Sequence, residues 1–140
     1  MVVHLAYPLL PVPLEGLIRY AAMNRVLTYD TFSAATLAIS AGILSVFVNQ
    51  SIRAMEGSLS DDSETEARNG ACAFFMASGI VFFVLFGVIV LLYALVNDRK
   101  LADLSPVLHV FQGVVFASSV IPVVSAVVAQ RGFRLRASMI

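Results

Sequence analysis

The chain has 140 residues, of which 59% are hydrophobic and 13% are charged, with nine basic residues against nine acidic ones. Soluble domains carry about 25% charged residues, so the deficit points away from an ordinary water-soluble domain. The balanced charge gives no reason to expect a nucleic-acid partner, and the single cysteine, Cys72, excludes an intrachain disulfide and a cysteine-based metal cluster.

Residues 14–29 have the pattern of an amphipathic helix. Its apolar side chains fall toward one side: Leu14, Leu17, Ile18 and Ala21. Its charged side chains fall toward the others: Glu15, Arg19 and Arg25. Such a helix suits the bilayer interface, and a short helix packed on a partner subunit is the alternative. Three prolines precede it and argue against a spanning helix there, because they remove amide donors: Pro8, Pro11 and Pro13.

A first membrane span is predicted from about residue 31 to residue 55, because no charge occurs between Asp30 and Arg53. Asp30 or Thr31 is the expected N-cap. Small and polar residues share one face of this helix: Ala34, Ala38, Gly42, Ser45 and Asn49. Small residues let helices approach closely in lipid, so this stripe predicts a helix-packing seam. A pore-lining stripe that ends in Asn49 is the alternative interpretation.

A second span is predicted from about residue 61 to residue 96. Residues 71–96 carry no charge, and a helix of that length exceeds the ~30 Å hydrocarbon core of a bilayer. The acidic residues of the 57–70 connection suit the first turn of a helix and lack the spacing of a calcium site. An aromatic stripe on this span is expected to face lipid or to fill a packing groove: Phe75, Phe82, Phe86 and Tyr93.

A third span is predicted from about residue 106 to residue 130, with Ser105 as N-cap and Pro106 at the first helical position. Pro122 cannot donate a hydrogen bond to the carbonyl of Ser118, so a kink is expected there. Gly113 and Ala117 form a second pair of small residues for helix packing.

Two polar side chains of the third span are candidates for contacts across the bundle. Gln112 lies about two turns into the helix and needs a partner, most simply Asn49, Ser45 or a backbone carbonyl. His109 is in the first turn, where an interfacial histidine usually hydrogen-bonds a headgroup or a neighbour. Neither histidine of the chain has a second ligand at metal spacing, so no metal site is predicted.

The expected fold is an all-α integral membrane protein in one domain, residues 1–140. It comprises an interfacial N-terminal segment (1–30), a three-helix membrane bundle (31–130) and a basic tail (131–140). Four basic residues fall on one side of the membrane and five on the other, so the positive-inside rule gives no orientation. The N-terminus and the 57–70 connection are expected on opposite sides.

The predicted spans contain no Asp, Glu, Lys or Arg, which argues against a proton-coupled transporter or an ion pump. No nucleophile–base pair, phosphate-binding loop or cofactor motif is evident, so neither an enzyme nor a cofactor is predicted. The expected function is that of a multi-pass membrane subunit, which packs against copies of itself or other membrane proteins within the bilayer. A homo-oligomeric pore or a membrane-disrupting effector is the alternative.

Overall fold

A computed structural model describes residues 8–22, 33–54, 62–97 and 103–132. The regular elements in these ranges are all α-helices: α1 (Pro11–Ala22), α2 (Ala34–Arg53), α3 (Asp62–Asn97), α4 (Ser105–Ser118) and α5 (Val120–Gly132). Three stretches are long and apolar enough to cross a membrane: Ala34–Arg53, Thr65–Asn97 and Ser105–Gly132. The prediction of an all-helical chain with three candidate spans is therefore confirmed.

Helix α2 begins three residues later than the sequence predicts. Its N-cap is Ser33, which has an extended backbone (φ −80°, ψ 123°) and accepts a hydrogen bond on its side chain from the Thr36 backbone N–H. A serine hydroxyl in this position satisfies an amide that the first turn leaves without an intrahelical partner. The cap candidates Asp30 and Thr31 lie outside the described residues.

Helix α1 covers Pro11–Ala22 and so begins before the predicted residue 14, while residues 23–29 lie outside the described part of the chain. Two of the three prolines that argue against a spanning helix lie inside its first turn, Pro11 and Pro13. Proline is tolerated there because the first amides of a helix have no carbonyl to bond. Helix α1 has 12 residues and is not among the candidate spans found in the described residues.

Helix α3 runs for 36 residues from Asp62 to Asn97 and confirms the predicted second helix to within one residue at each end. At about 1.5 Å per residue its length is about 54 Å, well beyond the thickness of a hydrocarbon core. Its apolar part is the candidate span Thr65–Asn97.

The third candidate span differs from the prediction at its start and in its middle. Leu104, not Ser105, is the N-cap; its backbone angles are φ −78° and ψ −2°, and its side chain makes no cap. Ser105 is the first helical residue, with Pro106 following it. The span is divided at Ser119 into α4 and α5, so the single helix expected from 106 to 130 is two.

The hydrophobic core consists of two clusters along α2, which is the most buried of the three candidate spans. The upper cluster lies toward the start of α2 and contains Ala34, Ala38, Ala41, Phe82, Ile89 and Val115. The lower cluster lies toward its end and contains Leu44, Val48, Ile52, Cys72, Phe75, Ala126 and Ala129. Helices α2, α4 and α5 therefore run downward and α3 runs upward.

Helix α1 packs on α2. The contacts of Leu9, two residues before the helix, show at which end of the bundle α1 starts. Leu9 packs against the lower cluster, at the end of the bundle where α2 ends and α3 begins. The start of α1 is thus at the same end as the α2–α3 connection, whereas the sequence led us to expect opposite ends. Residues 1–7 and 57–61 lie outside the described part of the chain, so the membrane sides of the N-terminus and of the 57–70 connection stay a prediction.

Candidate functional site: the helix seams

Helices α2 and α3 approach each other closely at two glycines, Gly42 and Gly79. A Cβ atom placed on Gly42 would lie 3.5 Å from the ring of Phe83 and 3.6 Å from the carbonyl oxygen of Gly79. A Cβ on Gly79 would lie 3.3 Å from Cγ2 of Val46. Only residues without bulky side chains permit this separation, as in other close-packed helix pairs in lipid.

A hydroxyl pair adds a polar bond to this crossing. Ser45 is fully buried, and its hydroxyl donates to the carbonyl oxygen of Ala41 at 2.9 Å. The Ser45 Oγ also lies 3.2 Å from the Oγ of Ser78 on α3. A hydroxyl has one hydrogen, so Ser78 donates to Ser45 while Ser45 donates to Ala41. The pair joins α2 to α3 beside Gly79.

The small-residue stripe predicted on the first span therefore packs within the chain. Ala34, Ala38 and Ser45 are buried almost completely, and Gly42 faces α3. Sequence reasoning identified this face but missed its counterpart on α3, Ser78 and Gly79. The available signal was their adjacency as two small residues in the middle of an otherwise bulky helix.

Asn49, the last residue of the stripe, does not meet Gln112. Its Oδ1 atom is buried and has no hydrogen-bond partner among the described residues, as is also true of Oε1 of Gln130 near the end of α5. Both amides belong to the lower half of the bundle, whereas Gln112 is near its upper end, so the expected pairing was wrong by roughly half the length of the bundle.

Gln112 instead bonds to an aromatic residue of α3. Its Nε2 atom donates to the phenolic oxygen of Tyr93 at 2.6 Å, on the outer surface of the bundle. The antiparallel course of α3 and α4 around the 98–104 connection brings these two residues to the same height. Tyr93 was predicted as a member of an aromatic stripe. That prediction came from the spacing of the rings and did not consider the hydroxyl group of Tyr93.

The other members of the aromatic stripe divide between core and surface. Phe75 and Phe82 are buried, Phe86 is half-buried, and Tyr93 is exposed. The two buried rings fill the lower and the upper cluster respectively. The small residues on the opposite side of α3 are all exposed: Ala73, Ala77, Gly87 and Ala94.

Pro122 is buried in the first turn of α5, directly after the break at Ser119. The two serines at the break bond to the preceding turn: the hydroxyl of Ser118 donates to Val115 O at 3.4 Å, and that of Ser119 to Phe116 O at 2.9 Å. These bonds stabilise the turn before the proline, which is how proline is accommodated in apolar helices. Neither is to the Ser118 carbonyl that Pro122 leaves without a donor.

His109 is exposed in the first turns of α4, and its Nδ1 lies 2.7 Å from the backbone oxygen of Ser105. A carbonyl can only accept, so Nδ1 donates its hydrogen to this oxygen. In the described ranges no group of three His, Cys, Asp or Glu side chains could hold a metal ion. Cys72 is buried in the lower cluster as a packing residue.

Gly113 and Ala117, the second predicted pair of small residues, lie on the outer surface of α4. A Cβ on Gly113 would meet no atom within 4 Å. The pair therefore makes no seam inside the chain, and its role in packing against another chain stays a prediction. It lies beside Gln112, so the outer face of α4 combines small residues with a hydrogen-bonded amide.

The chain thus has an inner seam that is filled and an outer face that is open. The polar groups at its helix contacts are hydroxyls and amides, which can hydrogen-bond between helices in lipid. Comparison of the chain with protein-family models, with curated proteins and with solved structures found no match.

Proposed function

We propose that the protein is a small multi-pass membrane subunit without enzymatic activity, which assembles with copies of itself or with other membrane proteins. Its candidate spans would lie in the bilayer with their exposed Val, Leu, Ile and Phe side chains against lipid or a partner helix. Three spans enclose little interior, so most of the apolar surface of such a chain is available for contacts outside it.

The observation that carries the proposal is the open small-residue face of α4. Gly113 and Ala117 are exposed in the middle of a candidate span, and a side chain at Gly113 would meet nothing in the chain itself. Glycine inside a helix costs about 1 kcal/mol relative to alanine. In lipid such a residue is useful where a second helix approaches closely, because dispersion contacts then replace the missing side chain.

The pore alternative has less support, because a residue expected to line the pore is buried between helices. It required Ser45 and Asn49 to line a lumen, but Ser45 is fully buried between α2 and α3 and bonded to Ser78. The exposed residues of α2 are two apolar ones, Ile43 and Val46, and two polar ones near its end, Gln50 and Arg53. The burial of Ser45 is the observation that favours the subunit over the pore.

The test is the mass of the detergent-solubilised particle, together with identification of the proteins that co-purify with it. Gly113→Leu fills open space on the outer face, so the proposal expects a folded protein that loses at least half of its assembled fraction. Val114→Leu is the matched control, because Val114 is half-exposed at the same height and points about 100° away around the helix.

A wild-type particle with the mass of one chain and no co-purifying protein would contradict the proposal. An assembled particle that Gly113→Leu and Val114→Leu leave equally intact would show that assembly uses another surface. Crosslinking of Gly113→Cys between chains, in a Cys72→Ala background, identifies a homo-oligomer separately from a complex with other proteins.

A further inference from the structure

Helix α1 starts near the lower end of the bundle and packs on α2. Leu9, two residues before it, packs against the lower cluster, and Ser33, which follows it in the chain, caps the upper end of α2. Helix α2 has 20 residues, and a helix of that length is about 30 Å long, so the chain from Leu9 to Ser33 has to rise along a large part of the bundle. Helix α1 has 12 residues, about 18 Å of helix, so an upright α1 would supply much of this rise.

The two sides of α1 have different surroundings. Gly16 is buried on the side toward α2, on which α1 packs. The opposite side carries exposed large apolar residues, each 52–66% exposed: Leu10, Leu14, Leu17 and Ile18. A helix on the water-exposed end of the bundle would put this apolar side in water, whereas a helix beside α2 puts it against acyl chains, next to the exposed apolar faces of the candidate spans.

The charged residues of α1 are already paired with each other. Arg19 and Glu15 are one turn apart, and the Arg19 guanidinium lies 2.8 Å from Oε1 of Glu15. Their side chains are 42% and 24% exposed, respectively. Ionisable residues enter a membrane when they pair with one another, so this bond removes the main obstacle to burial of α1 in lipid.

We infer that α1 is a membrane-embedded helix, which enters the bilayer from the side of the α2–α3 connection and rises along α2 with Leu14, Leu17 and Ile18 against lipid acyl chains. It does not lie flat in the interface. This inference rests on the proposed membrane location. In this position it brings the Glu15–Arg19 pair to membrane depth.

The test measures depth by spin labelling of single cysteines in a Cys72→Ala background in liposomes. Labels at positions 10, 14 and 18 are compared with labels at three exposed reference positions of the third span, Val110, Ile121 and Val128. Oxygen and a water-soluble nickel complex serve as collision partners. The ratio of their collision rates with each label reports the depth of that label in the bilayer. An upright α1 predicts that position 18 is closer to the bilayer centre than position 10 by up to about 12 Å.

Equal depths at positions 10, 14 and 18 would show a flat helix and overturn the inference. Collision with nickel at position 18 as frequent as in water would overturn it as well. The reference labels separate a failure of the inference from a failure of the proposed function. If labels at Val110, Ile121 and Val128 show no oxygen gradient, the proposed membrane location is wrong. If they show a gradient while the labels on α1 all lie at one depth, only the embedded helix is rejected.

Sidedness is measured by an impermeant maleimide on oriented vesicles. The inference expects Leu10→Cys and Ser58→Cys to react from the same side and Ala102→Cys to react from the other side. Labelling of Leu10→Cys together with Ala102→Cys would place the start of α1 at the wrong end and overturn the inference.

Discussion

Replacement of Gly42 by leucine tests whether the α2–α3 seam holds the fold. An alanine Cβ at this position would make ordinary contacts, at 3.5 Å to the Phe83 ring and 3.6 Å to the Gly79 carbonyl oxygen. The three further carbons of leucine have no such space. The Phe83 ring is 43% exposed and can turn outward, but the Gly79 carbonyl belongs to the backbone and moves only with α3.

The expected destabilisation is the sum of two terms. Overpacking of a close seam costs about 1–3 kcal/mol. Separation of the helices also breaks the Ser45–Ser78 bond, which contributes about 0.6–2 kcal/mol if it resembles other interhelical bonds in membranes. We therefore expect Gly42→Leu to lower the free energy of unfolding by about 2–5 kcal/mol, and Gly42→Ala to change it by less than about 1 kcal/mol.

The assay is unfolding of the purified protein in mixed micelles by increasing SDS, followed by circular dichroism. Gly113→Leu is the matched control, because a Cβ atom placed there meets nothing within 4 Å. A second readout is the disulfide between Ser45→Cys and Ser78→Cys in a Cys72→Ala background, since the two native oxygens are 3.2 Å apart. Equal SDS midpoints for Gly42→Leu and Gly113→Leu, with undiminished disulfide formation, would refute the close seam.

Three further substitutions have defined expectations. Tyr93→Phe should destabilise the protein by about 0.6–2 kcal/mol, and a double-mutant cycle with Gln112→Leu that shows no coupling energy would contradict the hydrogen bond. Asn49→Asp should cost about 2–3 kcal/mol and lower the yield without conductance in liposomes; wild-type channel currents whose reversal potential it shifts would instead support a pore. Pro122→Ala should restore the missing amide donor and straighten the break, which pulsed EPR between labels at positions 110 and 128 would detect as a longer distance; an unchanged distance would assign the break to packing.

The helix boundaries were predictable because charge and hydropathy change abruptly along this chain. The 36-residue helix α3 follows from an acidic start at 61–66 and an uncharged stretch at 71–96. The predicted start of α4 was wrong by one residue. Ser105 has the right chemistry for a cap but is the first helical residue, and Leu104 precedes it with helical angles. Local chemistry favours a residue type at a cap, whereas the preceding turn decides which residue occupies it.

The partners of the polar side chains were not predictable in the same way. Gln112 needed a hydrogen-bond partner on any reading of the sequence, but the choice between Asn49 and Tyr93 depends on how far α4 slides along α3. Hydrophobic periodicity indicates which face of a helix packs and leaves the relative heights of two helices undetermined. For the same reason the stripe on α2 did not reveal whether α3 or another chain would lie against it.

The glycines of the candidate spans now divide into two groups with different expected roles. Gly42 and Gly79 have atoms of the opposite helix within 3.3–3.6 Å of an added Cβ, so their substitution acts first on the fold. A Cβ atom placed on any of the others would meet nothing within 4 Å, so a methyl group there adds no contact with the opposite helices: Gly70, Gly87, Gly113 and Gly132. If bulky residues at Gly87 and Gly113 alter neither assembly nor lipid insertion, the outer face of the bundle has no partner. The small size of these residues would then need an explanation other than helix packing.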